Sequence, residues 1–245
     1  MFPAILKIGN FTLHSYGFML ALGFFSALTF LLYKAKQKNI PENIIIDLFF
    51  YTVLAGILGG RIWYVLINWT YYSKDLLNIV KIWEGGMVFY GGLIFGFITA
   101  VSYIYFKKLN FFTIADISAP ALALGHFFGR IGCFLAGCCY GKGCTLPWAV
   151  KFTDKESLAP LNTFLHPAQL YEALINLLIF LILIFYDRKK PSNGKIFLTY
   201  FLLYGLSRFI LEFFRGDDRG VFVLGFSQGQ IFSIFILISV LIFWI

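Results

Sequence analysis

Charged side chains lie within or beside long apolar segments of this chain, where burying a charge is energetically unfavourable. The cations are Arg61, Arg130 and Arg208, and the acids are Glu172 and Glu212. Insertion scales put a guanidinium at the membrane centre at about 2.5–3.5 kcal/mol or more, so each such arginine is a candidate functional residue. A planar guanidinium grips a phosphate through two parallel hydrogen bonds. The arrangement therefore predicts a site that binds a phosphate group at membrane depth.

The spacing of the charges at the end of one apolar segment allows two interpretations. Arg208 and Glu212 are four residues apart, and Glu212 and Arg215 are three apart, so all three side chains can share a helix face. In the first interpretation, the acids and the arginines only pair with each other and lower the insertion cost. In the second, three arginines at membrane depth exceed two glutamates, and the surplus positive charge binds an anionic lipid headgroup.

Arg130 shares a helical stripe with two other reactive side chains. His126, Arg130 and Cys133 follow each other at i, i+4 and i+7, which places them on one helix face. His126 is either a hydrogen-bonded packing residue or a functional group beside Arg130. The small residues nearby have a structural explanation, because glycines let membrane helices approach closely. These small residues are Gly125, Gly129 and Gly132.

The cysteines are confined to one short stretch of the chain. They are Cys133, Cys138, Cys139 and Cys144. Their spacing is not a usual zinc pattern, and no Cys-x-x-Cys-His haem attachment sequence occurs. Three interpretations stay open: plain packing, a disulfide from Cys138 or Cys139 to Cys144, and a nucleophilic thiol activated by Arg130 or His126. The sequence predicts neither a metal site nor a cofactor.

The composition excludes a soluble protein. Of the 245 residues, 60% are hydrophobic and only 13% are charged, too few to cover the surface of a soluble domain with polar groups. In a bilayer the backbone must satisfy its own hydrogen bonds, which leaves helices or a closed barrel. The apolar runs are long and continuous rather than alternating, so they favour helices.

Seven apolar segments are long enough to be membrane spans. The predicted spans are 15–33, 45–68, 88–106, 112–137, 168–186, 196–214 and 227–245. The expected fold is therefore an all-α membrane protein with seven transmembrane helices. Residues 1–245 are expected to form a single integral membrane domain.

The distribution of basic residues predicts the orientation of the chain. Basic residues are densest in the short loops 34–44, 107–111 and 187–195, and such loops face the cytoplasm. We therefore expect an N-terminus outside and a C-terminus in the cytoplasm. The long connection 138–166 then faces outward, and the loops on that side form a small periplasmic head. The net charge of +8 does not indicate nucleic-acid binding, because the basic residues are scattered over short loops.

These motifs together resemble the prolipoprotein diacylglyceryl transferase family, whose members have seven spans and an outward-facing N-terminus. The matching segments follow the family's order over most of the chain. They are Tyr16-Gly17, Gly59-Gly60-Arg61, the run from Trp83 to Leu93, Asp116, Pro120, Gly129-Arg130-Ile131-Gly132, Gly141, His166-Pro167, the run from Gln169 to Glu172, and the run from Arg208 to Arg215. Single pieces are weak signals, but their joint order is specific.

The chain departs from the family pattern at several positions. The family signature G-R-x-G-N-F-x-N-x-E has Cys133 in place of the first Asn, Ala136 in place of the second, and Cys138 in place of the Glu. Tyr90 stands where the family has a histidine in F-H-G-G. The chain is therefore similar to a divergent branch of the family.

The resemblance implies transfer of diacylglycerol from phosphatidylglycerol to a cysteine thiol in the lipobox of a preprolipoprotein, in the bacterial inner membrane. Arg130 and Arg208 would be the catalytic pair that clamps the phosphate and stabilises the leaving group. His126 or Tyr90 would accept the thiol proton. His126 is preferred, because the ordinary pKa of histidine, about 6.5, suits a base better than that of tyrosine, about 10.

The resemblance also implies a set of substrate-binding residues around this pair. They are Tyr16, Arg61, Gly91, Gly92, Cys133, Cys138, Gly141, Glu172, Glu212 and Arg215. Arg61 or Arg215 would guide the headgroup, and the two glutamates would orient the arginines. The expected partners are phosphatidylglycerol, the lipobox peptide and membrane lipids, and no nucleic acid.

Three other functions remain as alternatives. The first is a related lipid transferase with a different acceptor, which the substituted Tyr90, Cys133 and Cys138 favour. The second is a non-enzymatic membrane protein that uses the cysteines for thiol or metal chemistry. The third is a transporter, which the lack of a visible internal repeat disfavours.

Overall fold

Helices dominate the computed structural model, which describes residues 2–9, 11–217 and 225–244. The α-helices in this part of the chain are α1 (Ser15–Gln37), α2 (Glu42–Ile67), α3 (Trp69–Tyr72), α4 (Phe89–Phe106), α5 (Phe111–Ala136), α6 (Ala168–Asp187), α7 (Lys195–Leu211) and α8 (Gln228–Trp244). Short 3-10 segments occupy Leu76–Val80, Ile82–Glu84 and Glu212–Phe214. Two antiparallel strand pairs complete the secondary structure: β1 (Ala4–Ile8) with β2 (Phe11–His14), and β3 (Val150–Lys151) with β4 (Phe164–Leu165).

Six helices in the described part are long and apolar enough to cross a membrane. They are α1, α2, α4, α5, α6 and α7 together with the 3-10 segment that follows it. The all-α membrane class predicted from the sequence is therefore confirmed, and six predicted spans coincide with these helices. α8 is a shorter apolar helix of 17 residues. It falls within the predicted span 227–245, whose last residue lies outside the described residues.

Local sequence signals explain where the helices near the site begin and end. Pro167 precedes the first residue of α6, a position where a missing N–H is harmless. Gly194 precedes α7 with a φ of 90°, which glycine adopts without steric penalty. Pro167 thus marks the start of α6, and Gly194 marks the start of α7 after a short connection.

The chain divides into two compact units, Met1–Leu31 with Ala115–Ile245, and Leu32–Ile114. The core of the first unit lies where α5, α6 and α7 pack together. Its fully buried members are Ala119, Ala123, Ile179, Leu183, Ile196 and Tyr200. Lipid tails are as apolar as these side chains, so close packing rather than escape from water stabilises such an interface.

A close contact between α1 and α5 confirms the predicted role of one glycine in the first unit. A Cβ on Gly132 would lie 3.1 Å from the Cβ of Met19 and 3.4 Å from the Cα of Tyr16. A side chain here would force Met19 or Tyr16 to shift by a few tenths of an ångström, so glycine favours this close approach. Gly132 therefore brings the start of α1 against the part of α5 that carries Arg130.

Glycines also allow α2 and α4 to pack closely in the second unit. A Cβ on Gly91 would lie 2.5 Å from the carbonyl oxygen of Gly59, and one on Gly92 would lie 2.9 Å from that of Gly56. The described contacts of Gly91 and Gly92 are thus helix–helix packing. Their predicted part in substrate binding stays a prediction.

Asp116 on α5 fixes the start of α7. Its carboxylate accepts hydrogen bonds from the backbone N–H of Gly194 at 2.7 Å and of Phe197 at 2.9 Å. The first N–H groups of a helix have no partner inside the helix. A carboxylate from a neighbouring helix therefore satisfies two of them and also favours the positive end of the helix dipole.

Replacing Asp116 by alanine is expected to destabilise the protein by about 2 kcal/mol, the upper end of measured capping effects. The reason is that two backbone donors lose a buried carboxylate. The measurement is thermal unfolding in detergent. Asp75→Ala is the matched comparison, because Asp75 is exposed and accepts a single capping bond, from Leu77 N at 3.1 Å. Equal losses for the two variants would contradict the role assigned to Asp116.

Candidate functional site

Three arginines of the first unit converge on one buried carboxylate, that of Glu172. Arg130 Nη2 lies 3.0 Å from Glu172 Oε1. Arg208 Nη1 and Arg215 Nη1 lie 3.5 Å and 3.4 Å from Glu172 Oε2. Glu172 itself is only 4% exposed. A single carboxylate thus holds three guanidinium groups together at one place.

Four separate segments of the first unit build this network. Arg130 is on α5, Glu172 is near the start of α6, and Arg208 is in the last turn of α7. Arg215 follows the 3-10 segment in extended conformation, with φ −77° and ψ 141°. Residues that are far apart in the sequence therefore meet because α5, α6 and α7 pack around a common core.

Two further acids complete the network from outside. Glu212 Oε2 lies 3.1 Å from Arg208 Nη2, which confirms the predicted i, i+4 pair. Asp217 accepts hydrogen bonds from Arg215 Nε at 3.1 Å and Nη2 at 2.9 Å. Burial raises the pKa of Asp217, although Arg215 acts in the opposite direction.

The described residues of the network carry balanced formal charges. Arg130, Arg208 and Arg215 contribute three positive charges, and Glu172, Glu212 and Asp217 contribute three negative ones. The sequence predicted one surplus positive charge, from Arg61, Arg130 and Arg208 against two glutamates. Within the described network the charges balance, because Arg215 and Asp217 join it. Arg61 lies in the other unit, so the predicted surplus at membrane depth stays a prediction.

One donor of the network keeps unused hydrogen-bonding capacity. Arg208 Nη1 is buried and donates no hydrogen bond to any residue that the structure describes. Its contact with Glu172, at 3.5 Å, is purely ionic. Buried donors are nearly always hydrogen-bonded in native proteins. Arg208 is therefore placed to bind an additional anionic acceptor.

Gly141 joins the long connection after α5 to the backbone beside Arg215. Gly141 N donates to His166 O at 3.1 Å, Lys142 N donates to Phe214 O at 2.9 Å, and Gly141 forms an antiparallel bridge with Arg215. A Cβ on Gly141 would lie 2.4 Å from His166 O and 2.9 Å from Phe214 O. Gly141, predicted to bind substrate, thus makes the close backbone approach that positions Arg215.

Three of the cysteines form a compact thiol cluster next to the arginines. The Sγ atoms of Cys133, Cys138 and Cys139 all lie within 4.8 Å of one another. The pKa of Cys139 is lowered, chiefly by hydrogen bonds from Cys133 and Cys138. The positive charges of Arg215 and Arg130 lower it further. Hydrogen bonds with Cys133 and Cys139 raise the pKa of Cys138.

The structure does not contain the disulfide to Cys144 that was one of the three interpretations left open by the sequence. All four cysteines are free thiols. Cys144 Sγ instead accepts a hydrogen bond from Leu146 N at 3.4 Å. The backbone explains the difference, because the turn after α5 directs the thiols of Cys138 and Cys139 towards Cys133.

Two other predicted residues lie close to the network. His126 packs its ring against that of Tyr204, with centroids 5.6 Å apart, and has electrostatic interactions with Arg130 and Glu172. Tyr16, at the start of α1, has electrostatic interactions with Arg130 and Cys133. Both side chains thus belong to the surroundings of Arg130. For His126 this agrees with the helical spacing on α5, whereas Tyr16 was predicted only from the family resemblance.

Arg61 has a different environment, in the second unit. Its guanidinium donates to five backbone carbonyls, those of Asn78, Ile79, Lys81, Gly85 and Gly86, at 2.6 to 3.2 Å. These bonds fold the connection between α3 and α4 around the arginine. Tyr90 also belongs to the second unit, where it lies exposed in the first turn of α4.

Sequence reasoning missed two residues that the structure brings to the site. Asp217 was counted only as a loop charge, and its adjacency to Arg215 was the signal that could have marked it. Gln169 donates to the carbonyl of Cys138 at 2.7 Å and is almost fully buried. Its place one turn before Glu172 on α6 could have indicated that it faces the same site.

The fold and this network define a multi-pass helical membrane protein with a buried arginine–carboxylate site. The family model for prolipoprotein diacylglyceryl transferase matches residues 3–245. Among similar proteins, a phosphatidylglycerol–prolipoprotein diacylglyceryl transferase of Clostridium tetani is 37% identical over 249 residues, covering 99% of this chain and 97% of its relative. One of the same name from Aeromonas hydrophila is 39% identical over 251 residues, covering 99% and 89%. The chain belongs to the prolipoprotein diacylglyceryl transferase family.

Proposed function

We propose that this chain transfers the diacylglyceryl group of phosphatidylglycerol to the lipobox cysteine of a prolipoprotein. Relatives that match almost its whole length are named for this reaction. The observation that carries the residue assignment is the convergence of Arg130, Arg208 and Arg215 on Glu172. Guanidinium groups gathered in this way are suited to bind the phosphate of a lipid at membrane depth.

Arg130 and Arg208 are the arginines that bind the phosphate in this proposal. Their side chains are 22% and 14% exposed, whereas that of Arg215 is 4% exposed. Arg208 Nη1 also makes no hydrogen bond within the described structure. A phosphate oxygen can take the place of the long ionic contact between Arg208 and Glu172 without breaking a hydrogen bond. Arg215 then supplies positive charge from behind the pair.

The reaction makes one bond and breaks one. The thiol sulfur of the lipobox cysteine attacks the carbon of the diacylglyceryl group that is bonded to the phosphate oxygen. A C–S thioether bond forms, the C–O bond to the phosphate breaks, and glycerol phosphate leaves with the electron pair. Arg130 and Arg208 stabilise the charge that gathers on the leaving phosphate. The thiol proton passes to a base before or during the attack.

His126 is our preferred base, and Tyr90 is the alternative. His126 shares a face of α5 with Arg130 and lies near Glu172, so it is close to the bound phosphate in this proposal. Histidine is also the side chain that most often serves as a general base. Tyr90 is an alternative base only because of its position in the family motif.

The remaining predicted residues have supporting parts in this proposal. Tyr16 and the thiols of Cys133 and Cys138 border Arg130 and contact the headgroup. Gly141 acts through the position of Arg215. The five carbonyl bonds of Arg61 favour a structural part in shaping the connection before α4. Gly91 and Gly92 allow α2 and α4 to pack closely.

We also propose the full membrane topology for residues 1–245 as one integral membrane domain. α8 serves as a seventh span, because 17 residues reach about 25 Å and this helix is uncharged and mostly apolar after Gln230. The N-terminus lies in the periplasm and the C-terminus in the cytoplasm of the bacterial inner membrane, as the basic loops predict. The connection 138–166, which contains β3 and β4 and a small core of its own, forms the periplasmic head.

The function is tested with the purified chain in vesicles that contain labelled phosphatidylglycerol. A lipobox peptide is added, and products are identified by mass spectrometry. The expected product is the peptide with a diacylglyceryl thioether on its cysteine, together with free glycerol phosphate. An unmodified peptide, in vesicles where a family relative modifies it, would refute the proposal.

A related transferase with a different acceptor is the second candidate. The observation that favours it is the thiol cluster of Cys133, Cys138 and Cys139, which borders Arg130. Cys133 and Cys138 stand where the family signature has Asn and Glu. The same assay separates the two candidates. Release of glycerol phosphate without peptide modification would point to another acceptor.

Replacing Gly141 by alanine is expected to lower transfer activity by about 10²-fold, the loss typical of a shift of about 1 Å in a catalytic group. The added Cβ would meet backbone atoms of His166 and Phe214, and these cannot move without displacing Arg215. The measurement is initial rate in the vesicle assay. Gly143→Ala is the matched control, because a Cβ there meets no atom of the described structure within 4 Å. Similar rates for both variants would contradict the positioning role.

A further inference from the structure

The thiol cluster has the geometry of a ligand set. Cys133, Cys138 and Cys139 place three Sγ atoms within 4.8 Å of one another. Cys133 is buried, and the other two are partly buried. Neighbouring cysteines in an apolar stretch normally point to different sides of the backbone. Three thiols gathered at one point therefore require a special path of the chain.

The backbone after α5 provides that path. α5 ends at Ala136, and Gly137 reverses the chain with a φ of 80°. Cys139 itself has a φ of 58°, a left-handed conformation that residues other than glycine rarely adopt. The buried side chain of Gln169 holds the carbonyl of Cys138 at 2.7 Å. The positions of the thiols are thus fixed by the fold before any ligand binds.

We propose that Cys133, Cys138 and Cys139 form a binding site for a soft monovalent metal ion, with Cu(I) as the preferred ion. Thiolates select soft ions. A planar three-coordinate site with metal–sulfur bonds of about 2.3 Å separates its sulfur atoms by about 4 Å. The observed separations of up to 4.8 Å reach this value with small side-chain shifts. Zn(II) would need a fourth ligand such as water to complete its tetrahedron, whereas Cu(I) is satisfied by the three thiolates.

The charges around the cluster suit such a complex. Binding Cu(I) releases three thiol protons to solvent and leaves a complex with two negative charges, with no change of oxidation state. Arg130 and Arg215 both have electrostatic interactions with Cys139. Both arginines also pair with acids of the network, so they reduce the electrostatic cost of the complex without neutralising it. The site rests on the thiol geometry and does not depend on the proposed transfer reaction.

The test is a competition between the full-length protein and a chromogenic Cu(I) chelator, in detergent under anaerobic reducing conditions. We expect the protein to retain one Cu(I) per chain. Cys133→Ser, Cys138→Ser and Cys139→Ser should each weaken binding by more than the ~10–100-fold that loss of an outer-shell partner causes. Cys144→Ser is the matched control and should bind as the unaltered protein does. In the same competition format, Zn(II) should bind more weakly than Cu(I).

Two results would overturn the inference. One is failure of the unaltered protein to compete with the chelator. The other is an equal loss of Cu(I) in Cys144→Ser and in the three cluster variants. Alkylation of the unaltered protein provides a check that needs no variant. Cu(I) should protect Cys138 and Cys139 from alkylation, and equal labelling with and without Cu(I) would also reject the site.

Discussion

Replacing Arg130 and Arg208 together by alanine is expected to lower the rate of diacylglyceryl transfer by at least about 10²–10³-fold, the loss measured when one charge-stabilising donor is removed. Groups that act as a unit are not additive, so either single variant should come close to the double one. The physical reason is that both guanidinium groups bind the phosphate on which negative charge gathers. The measurement is the initial rate in vesicles that contain phosphatidylglycerol and a lipobox peptide.

Two controls separate lost chemistry from lost structure. Arg188→Ala removes an exposed arginine at the far end of α6, about 24 Å along the helix from Glu172, and should leave the rate unchanged. Lysine at position 130 or 208 keeps the charge but not the two parallel hydrogen bonds, so we expect partial activity. Undiminished transfer by a correctly folded double variant would refute the assigned roles.

Replacing Glu172 by glutamine is the second change with a large expected effect. Three arginines lie within 3.0 to 3.5 Å of this carboxylate, and without its charge they repel each other. Leaving buried charges unpaired is destabilising by about 3–5 kcal/mol, so the thermal unfolding temperature should fall. We expect kcat to fall by about 10²-fold, because the phosphate-binding pair loses its orientation.

The kinetic signature of Glu172→Gln distinguishes positioning from simple damage. The variant adds one net positive charge to the site, so the KM for phosphatidylglycerol should stay equal or fall while kcat falls. Glu212→Gln is the matched comparison, because the ion pair of Glu212 with Arg208, at 3.1 Å, involves one arginine instead of three. Its loss of kcat should be smaller. A raised KM with unchanged kcat in Glu172→Gln would contradict the orienting role.

Much of the helical fold could be predicted from the sequence, because the spans are continuous apolar runs with polar breaks. The predicted span 168–186 is α6, Ala168–Asp187, and 112–137 is α5, Phe111–Ala136. Pro167 and Arg188 flank α6 directly, and Gly137 directly follows α5. The hairpin of β1 and β2 was not predicted, because two short strands before the first helix have no periodicity long enough to detect.

The candidate site was only partly predictable, because its geometry depends on tertiary packing. The stripe of His126 and Arg130 follows from helical spacing alone. The sharing of one carboxylate by three arginines does not, since α5, α6 and α7 must first pack together. The thiol cluster depends on left-handed backbone at Gly137 and Cys139, which spacing rules for cysteines do not include.

The most direct test is a structure of the protein in nanodiscs that contain phosphatidylglycerol. We expect density for a lipid phosphate within hydrogen-bonding distance, about 2.7–3.2 Å, of both Arg130 and Arg208, with Glu172 retained behind them. A phosphate bound elsewhere, with Arg130 and Arg208 still paired to Glu172, would show that these arginines do not bind the lipid substrate.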